Sequence, residues 1–115
     1  MKSNFEENFA ADLKRRKIEF EYEATRFHYS IPKSYRPDFK IGDMYIETKG
    51  YHPGFKKYLS DFLHFKAQNP DVDIRFVFDK GIPQKKIGTK MTVAAWADRH
   101  NIKWSEATLP KEWLK

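Results

Sequence analysis

Residues 37–50 constrain the fold more than any other stretch of this chain. Two runs, Pro37-Asp38-Phe39-Lys40-Ile41 and Met44-Tyr45-Ile46-Glu47-Thr48-Lys49-Gly50, alternate apolar with polar residues and are joined by Gly42-Asp43. A Gly-Asp pair between alternating runs closes a β-hairpin. With Gly42 and Asp43 as the loop, Ile41 opposes Met44, Lys40 opposes Tyr45, Phe39 opposes Ile46 and Asp38 opposes Glu47. Ile41, Met44, Phe39 and Ile46 then share one face, while Asp38, Lys40, Tyr45, Glu47 and Lys49 share the other. The hairpin is therefore expected to have a core side and a chemical side.

On the chemical side, Asp38 and Glu47 become cross-strand neighbours with Cβ atoms about 5 Å apart, where like charges destabilise the pair. A divalent cation bridging both carboxylates relieves that repulsion. The chain has no cysteine, and its histidines, His28, His52, His64 and His100, are scattered without ligand spacing. Only His52 lies near the hairpin. The available ligands are thus hard oxygens, which suit Mg²⁺, with Mn²⁺ able to substitute. Lys49 is placed to stabilise charge developing on a phosphate. The spacing alone is met equally well by a turn aspartate after Pro37 and two solvated strand residues, so it does not decide the matter.

Ser3-Asn4-Phe5-Glu6 has the pattern of a capping box and predicts a helix over 4–16. Around that helix, Phe9, Leu13 and Ala10 lie roughly 40°, 80° and 140° from Phe5, and Glu6 falls inside the same apolar stripe at roughly 100°. Glu6 is consequently either a capping residue or a carboxylate held against the core. Glu7 falls on the wet side. Residues 18–23 alternate strictly and predict a strand with one wet acidic face, and a short extended piece is expected over 26–30. The spacing of Phe55, Tyr58, Leu59, Phe62 and Leu63 predicts a second helix ending at Asn69-Pro70. A buried strand is expected at 74–78, a basic loop at 80–90, a third helix capped by Thr92, and a last strand near 102–104. A strand on each side of the second helix makes a βαβ unit. The fold class is mixed α and β, a small sheet flanked by helices.

A length of 115 residues suits a single domain spanning 1–115. No segment has the roughly 20 consecutive apolar residues of a membrane span, and the first residues lack the apolar run of a signal peptide. A soluble, intracellular protein without membrane partners is expected, and the lack of cysteine is compatible with a reducing compartment. Lys and Arg outnumber Asp and Glu by 22 to 16, giving a net charge of +6, the sign expected of a protein that meets polyphosphate. Lys14, Arg15, Arg16 and Lys17, together with Arg36, Lys56, Lys57, Lys85, Lys86 and Lys90, are the candidate phosphate contacts. Each run taken alone also fits a solvated face. The aromatic residues sit mostly at helical or strand spacing and read as core.

Pro37-Asp38 followed by Glu47-Thr48-Lys49 resembles the signature of the PD-(D/E)xK nuclease superfamily. The resemblance extends in order through residues 17–23, Tyr35-Arg36-Pro37-Asp38-Phe39, Ile46-Glu47-Thr48-Lys49-Gly50, residues 73–78 and Leu109-Pro110-Lys111-Glu112-Trp113, which are similar to the endonuclease I family of T-odd phages, Holliday-junction resolvases. It implies a restriction-endonuclease-like core. It also implies that Asp38, Glu47 and Glu6 bind metal with the carbonyl of Thr48, and that Lys49 is the catalytic lysine. The implied reaction is metal-dependent hydrolysis of phosphodiester bonds in branched DNA, leaving 5′-phosphate and 3′-hydroxyl ends. The family also implies an intertwined homodimer, with residues 27–35 as the exchanged bridge. Two alternatives stand beside this expectation: a homing, restriction-like or general nicking nuclease on the same fold, and a non-catalytic DNA-binding module. The second is disfavoured because carboxylates facing phosphates without a metal weaken binding.

Overall fold

The computed structural model describes residues 3–29 and 33–114. Helix α1 (Asn4–Arg15) starts at Ser3, whose hydroxyl accepts from the Glu6 amide, and buries Glu6, Phe9, Ala10 and Leu13. This is the stripe expected from the periodicity. Strands β1 (Glu21–Tyr22), β2 (Phe27–Tyr29), β3 (Lys33–Tyr35), β4 (Phe39–Ile41) and β5 (Met44–Lys49) lead to α2 (Phe55–Gln68). Then come β6 (Ile74–Phe78), β7 (Lys86–Ile87), β8 (Met91–Thr92), α3 (Val93–Arg99), β9 (Trp104–Glu106) and a 3₁₀ turn (Lys111–Leu114). Thr92 caps α3 by accepting from the Ala95 amide.

One five-stranded sheet runs in the order β1-β4-β5-β6-β9. The β4–β5 hairpin has the register read from its turn, with Phe39 opposite Ile46, Lys40 opposite Tyr45 and Ile41 opposite Met44. Gly42 takes φ 59° at the tip, which an L side chain adopts reluctantly. Strands β5, β6 and β9 are parallel, so β5-α2-β6 is the expected crossover unit.

The sheet is covered on both faces. Alternation along β6 divides it between two cores: Val77 packs with Phe9, Ala10, Leu13, Phe39, Met44, Ile46 and Leu109 under α1. Ile74, Phe76 and Phe78 pack with Phe55, Leu59, Phe62, Phe65 and Trp96 under α2 and α3. Double coverage decides between the two readings of the hairpin's chemical side. Tyr45 packs edge-on against Phe27 at 5.0 Å and Glu47 is only 3% exposed, so Glu47 is not a solvated strand residue.

Three local expectations also change. The strand expected over 18–23 shrinks to Glu21–Tyr22, because Lys17 (φ 56°) and Glu23 (φ 48°) turn the chain on either side. The last strand starts two residues late: Ile102 is buried and its amide donates to the Ala97 carbonyl, so it closes α3 rather than pairing. The basic loop contains β7, which pairs antiparallel with β8 and is anchored by buried Ile82 and Pro83. Of the bridge expected over 27–35, residues 30–32 lie outside the described residues. Its flanks pair with each other in the same chain, Phe27 opposite Tyr35 and His28 opposite Ser34.

Candidate active site

The carboxyl end of β5 opens into a cleft of about 590 Å³ lined by Glu6, Arg36, Asp38, Glu47, Thr48, Lys49, Tyr51, His52, Tyr58 and Asp79, among others. Four elements build it. α1 supplies Glu6, the residue just before β4 is Asp38, β5 supplies Glu47, Thr48 and Lys49, and α2 supplies Tyr58.

Asp38 Oδ2 accepts from the Thr48 amide at 2.9 Å and from the Thr48 hydroxyl at 2.7 Å. Glu47 Oε1 accepts from the Asp38 amide at 3.2 Å, and its Oε2 accepts from the Tyr58 hydroxyl at 2.6 Å. The two carboxylates predicted to be cross-strand neighbours are thus joined through backbone and hydroxyl donors. Lys49 Nζ lies 3.9 Å from Glu47 Oε2 and 4.0 Å from the centre of the Tyr58 ring, which holds its ammonium over a π face. Glu6, 5% exposed, accepts from the Tyr22 hydroxyl at 2.5 Å.

Electrostatics in the cleft follow from burial. Burial, and after it the charge of Glu47, raises the Asp38 carboxyl to about 8 against the donors from Thr48. Burial also pushes Glu47 up, opposed first by Lys49 and then by Tyr58. Tyr58 and Tyr35 are held far above the usual phenol range by burial and by Glu47, so both remain hydrogen-bond donors. Burial, and then the charge of Lys49, lowers His52 and favours its neutral ring.

Sequence reasoning placed Glu23 on a wet strand face. Its positive φ instead turns it inward, its amide donates to the Asp38 carbonyl at 2.8 Å, and it pairs with Arg36. Carboxylate oxygens of Glu6, Glu23 and Asp38 all lie within 4.8 Å of one another. With Glu47, and with Asp79 also lining the cleft, five carboxylates stand near two cations, Lys49 and Arg36. The carboxylates offer hard oxygens, with the His52 ring also lining the cleft, and the excess of carboxylates over cations fits a divalent cation of the Mg²⁺ or Mn²⁺ kind.

The expected phosphate contacts are dispersed. Arg36 lines the cleft, and Lys85 lies beside it with Nζ 5.1 Å from the centre of the Tyr51 ring. Lys14 lines a separate groove with Phe20 and Lys40. Arg15 pairs with Asp12, and Arg16 is held by Asp12 at 3.1 Å and by the Leu109 carbonyl at 3.1 Å. Lys57 pairs with Asp61, whereas Lys17, Lys56, Lys86 and Lys90 are exposed. No described helix is long and apolar enough to cross a membrane.

Comparison with known proteins shows the family to which the chain belongs. The phage endonuclease I family model matches residues 1–115. Endonuclease I of Escherichia phage T7 is 30% identical over 118 aligned positions, covering 99% of this chain and 78% of that protein. Endodeoxyribonuclease 1 of Enterobacteria phage T3 is 30% identical over 118 positions, covering 99% of this chain and 76% of its own length. With a match over its full length and two relatives at that identity, the chain belongs to the phage endonuclease I family.

Proposed function

We propose that this endonuclease hydrolyses phosphodiester bonds of branched DNA, four-way junctions in particular, in a reaction that depends on Mg²⁺ and leaves 5′-phosphate and 3′-hydroxyl ends. The observation that carries the reading is the convergence of Glu6, Asp38, Glu47 and Lys49 in one cleft of a basic protein. Asp38, Glu47, Glu6 and the carbonyl of Thr48 are the residues that would hold the cation. When bound, it supplies an activated water and neutralises charge on the phosphate.

The chain's own residues prepare that chemistry. The amide and hydroxyl of Thr48 fix one oxygen of Asp38, and Tyr58 fixes one oxygen of Glu47, so each carboxylate keeps its second oxygen oriented. Such hydrogen bonds orient metal-binding carboxylates and set their affinity. Lys49, held over Tyr58, presents an ammonium to charge growing on the phosphate. Arg36, at the same rim, meets the flanking backbone. Cutting two strands across a branch calls for two such sites, which supports a homodimer.

Incubation with a labelled four-way junction and a matched linear duplex, each with Mg²⁺, Mn²⁺ or EDTA, tests the proposal. Cutting of the junction that requires metal and exceeds cutting of the duplex supports it. Equal cutting of both moves the enzyme to a general nuclease, and cutting in EDTA overturns the metal dependence.

A further inference from the structure

Beside the carboxylates stands an aromatic residue that packing does not account for. Tyr51 is 66% exposed, the most exposed large apolar side chain among the described residues, yet it lines the same cleft as Glu6, Asp38, Glu47 and Lys49. Its ring is stacked on Phe55, with centroids 6.2 Å apart and planes 26° from parallel. Phe55 is 5% exposed at the start of α2, so Tyr51 is backed by a fixed ring while most of its own surface stays accessible. The Lys85 ammonium lies 5.1 Å from the ring centre. Behind Tyr51 the aromatic wall continues inward, from Phe55 to His52 at 5.7 Å and from His52 to Tyr58 at 6.3 Å, ending at the hydroxyl that holds Glu47.

We infer that Tyr51 is a stacking platform for a nucleobase next to the scissile phosphate, and that it selects DNA in which that base is unstacked. This rests on the function proposed above and names the feature of the substrate that the cleft reads. Access to a base face separates the two kinds of DNA. In continuous duplex every base face is covered by its neighbours, and a ring at the cleft mouth meets only sugar and phosphate. At a mismatch or single-stranded gap, or at a branch point whose arms are unstacked, a base face is free, and every base offers one, so stacking selects structure without selecting sequence. Lys85, held at the ring, meets the adjoining phosphate and adds an attraction common to all DNA.

The test compares wild type, Tyr51→Ala and Tyr51→Phe for binding, with Ca²⁺ in place of Mg²⁺, to a four-way junction, a duplex with a mismatched bubble and a continuous duplex. Tyr51→Ala is expected to weaken binding to the junction and the bubble about tenfold, within the range of one lost base–aromatic stack, and binding to continuous duplex less than twofold. Tyr51→Phe retains wild-type binding on all three. A 2-aminopurine placed beside the cleavage position is expected to fluoresce more brightly in the Tyr51→Ala complex than with wild type. Equal loss on all three DNAs, or no loss at all, overturns the inference while leaving cleavage by wild type intact. Failure of wild type to cut any of them overturns the proposed function itself.

Discussion

Asp38→Asn separates the cost of this site from its use. In the folded protein, burial and the charge of Glu47 raise the Asp38 carboxyl from 3.8 to about 8. In the unfolded chain the same group ionises near its ordinary value. A raised carboxyl contributes its full share of stability below about pH 4. That share is lost as pH rises toward 8, because only the unfolded state releases the proton through this window. At about 1.4 kcal/mol per unit, relaxation of the site brings the expected loss to roughly 2–4 kcal/mol by pH 8. Asparagine keeps an oxygen for the amide and hydroxyl of Thr48 and has no proton to lose. In EDTA the variant should therefore match wild type at pH 4 and exceed it by roughly 2–4 kcal/mol at pH 8, on the order of 10 °C in Tm. Urea unfolding followed by tryptophan fluorescence across this pH range measures the difference. Adding Mn²⁺ at a hundred times its Kd should stabilise wild type by about 2.7 kcal/mol and the variant far less, and the variant should not cut DNA. A variant less stable than wild type at pH 8, or a gap that does not grow with pH, refutes the reasoning.

Lys49→Ala should abolish cleavage in Mg²⁺ while junction binding stays within a few-fold of wild type; retained cleavage removes the ammonium from the mechanism. Tyr58→Phe deletes the donor to buried Glu47, and calorimetric titration with Mn²⁺ should show affinity reduced on the order of 10- to 100-fold, with about 1–3 kcal/mol lost from stability. Arg16→Ala should cost about 1 kcal/mol, because Arg16 ties Asp12 and the Leu109 carbonyl together, and should leave the salt dependence of DNA binding unchanged. A reduction of that slope by about one would return Arg16 to the phosphate contacts.

How much of this was legible in the sequence depended on whether the signal was periodic. The register of the hairpin follows from its turn and its alternation, and Ile74–Phe78 and Phe55–Gln68 follow from their apolar spacing. Glu6 was readable because an acidic residue on an apolar stripe is a local contradiction that needs a partner, found here in Tyr22. Glu23 was not readable, since nothing in an alternating run marks the residue that leaves the strand through a positive φ. Tyr58 was hidden because an amphipathic stripe records that a side chain faces inward and not that its hydroxyl reaches a carboxylate. The late start of the last strand has a tertiary cause, since β9 pairs with Phe76, Val77 and Phe78 of β6.

The site takes side chains from both helical layers that cover the sheet: Glu6 comes from α1 on one side, and Tyr58, which holds Glu47, comes from α2 on the other. The arrangement acts as a coincidence detector for complete folding. A chain with only the hairpin and α2 in place holds Asp38, Glu47 and Lys49 but not Glu6, and one with only α1 docked leaves Glu47 without its tyrosine. Detaching the twelve-residue α1 from the sheet would remove Glu6 from the cleft and leave Asp38, Glu47 and Lys49 in place. Docking of α1 is thereby what brings the first-helix carboxylate to a cleft whose other acidic groups stand on or beside the sheet.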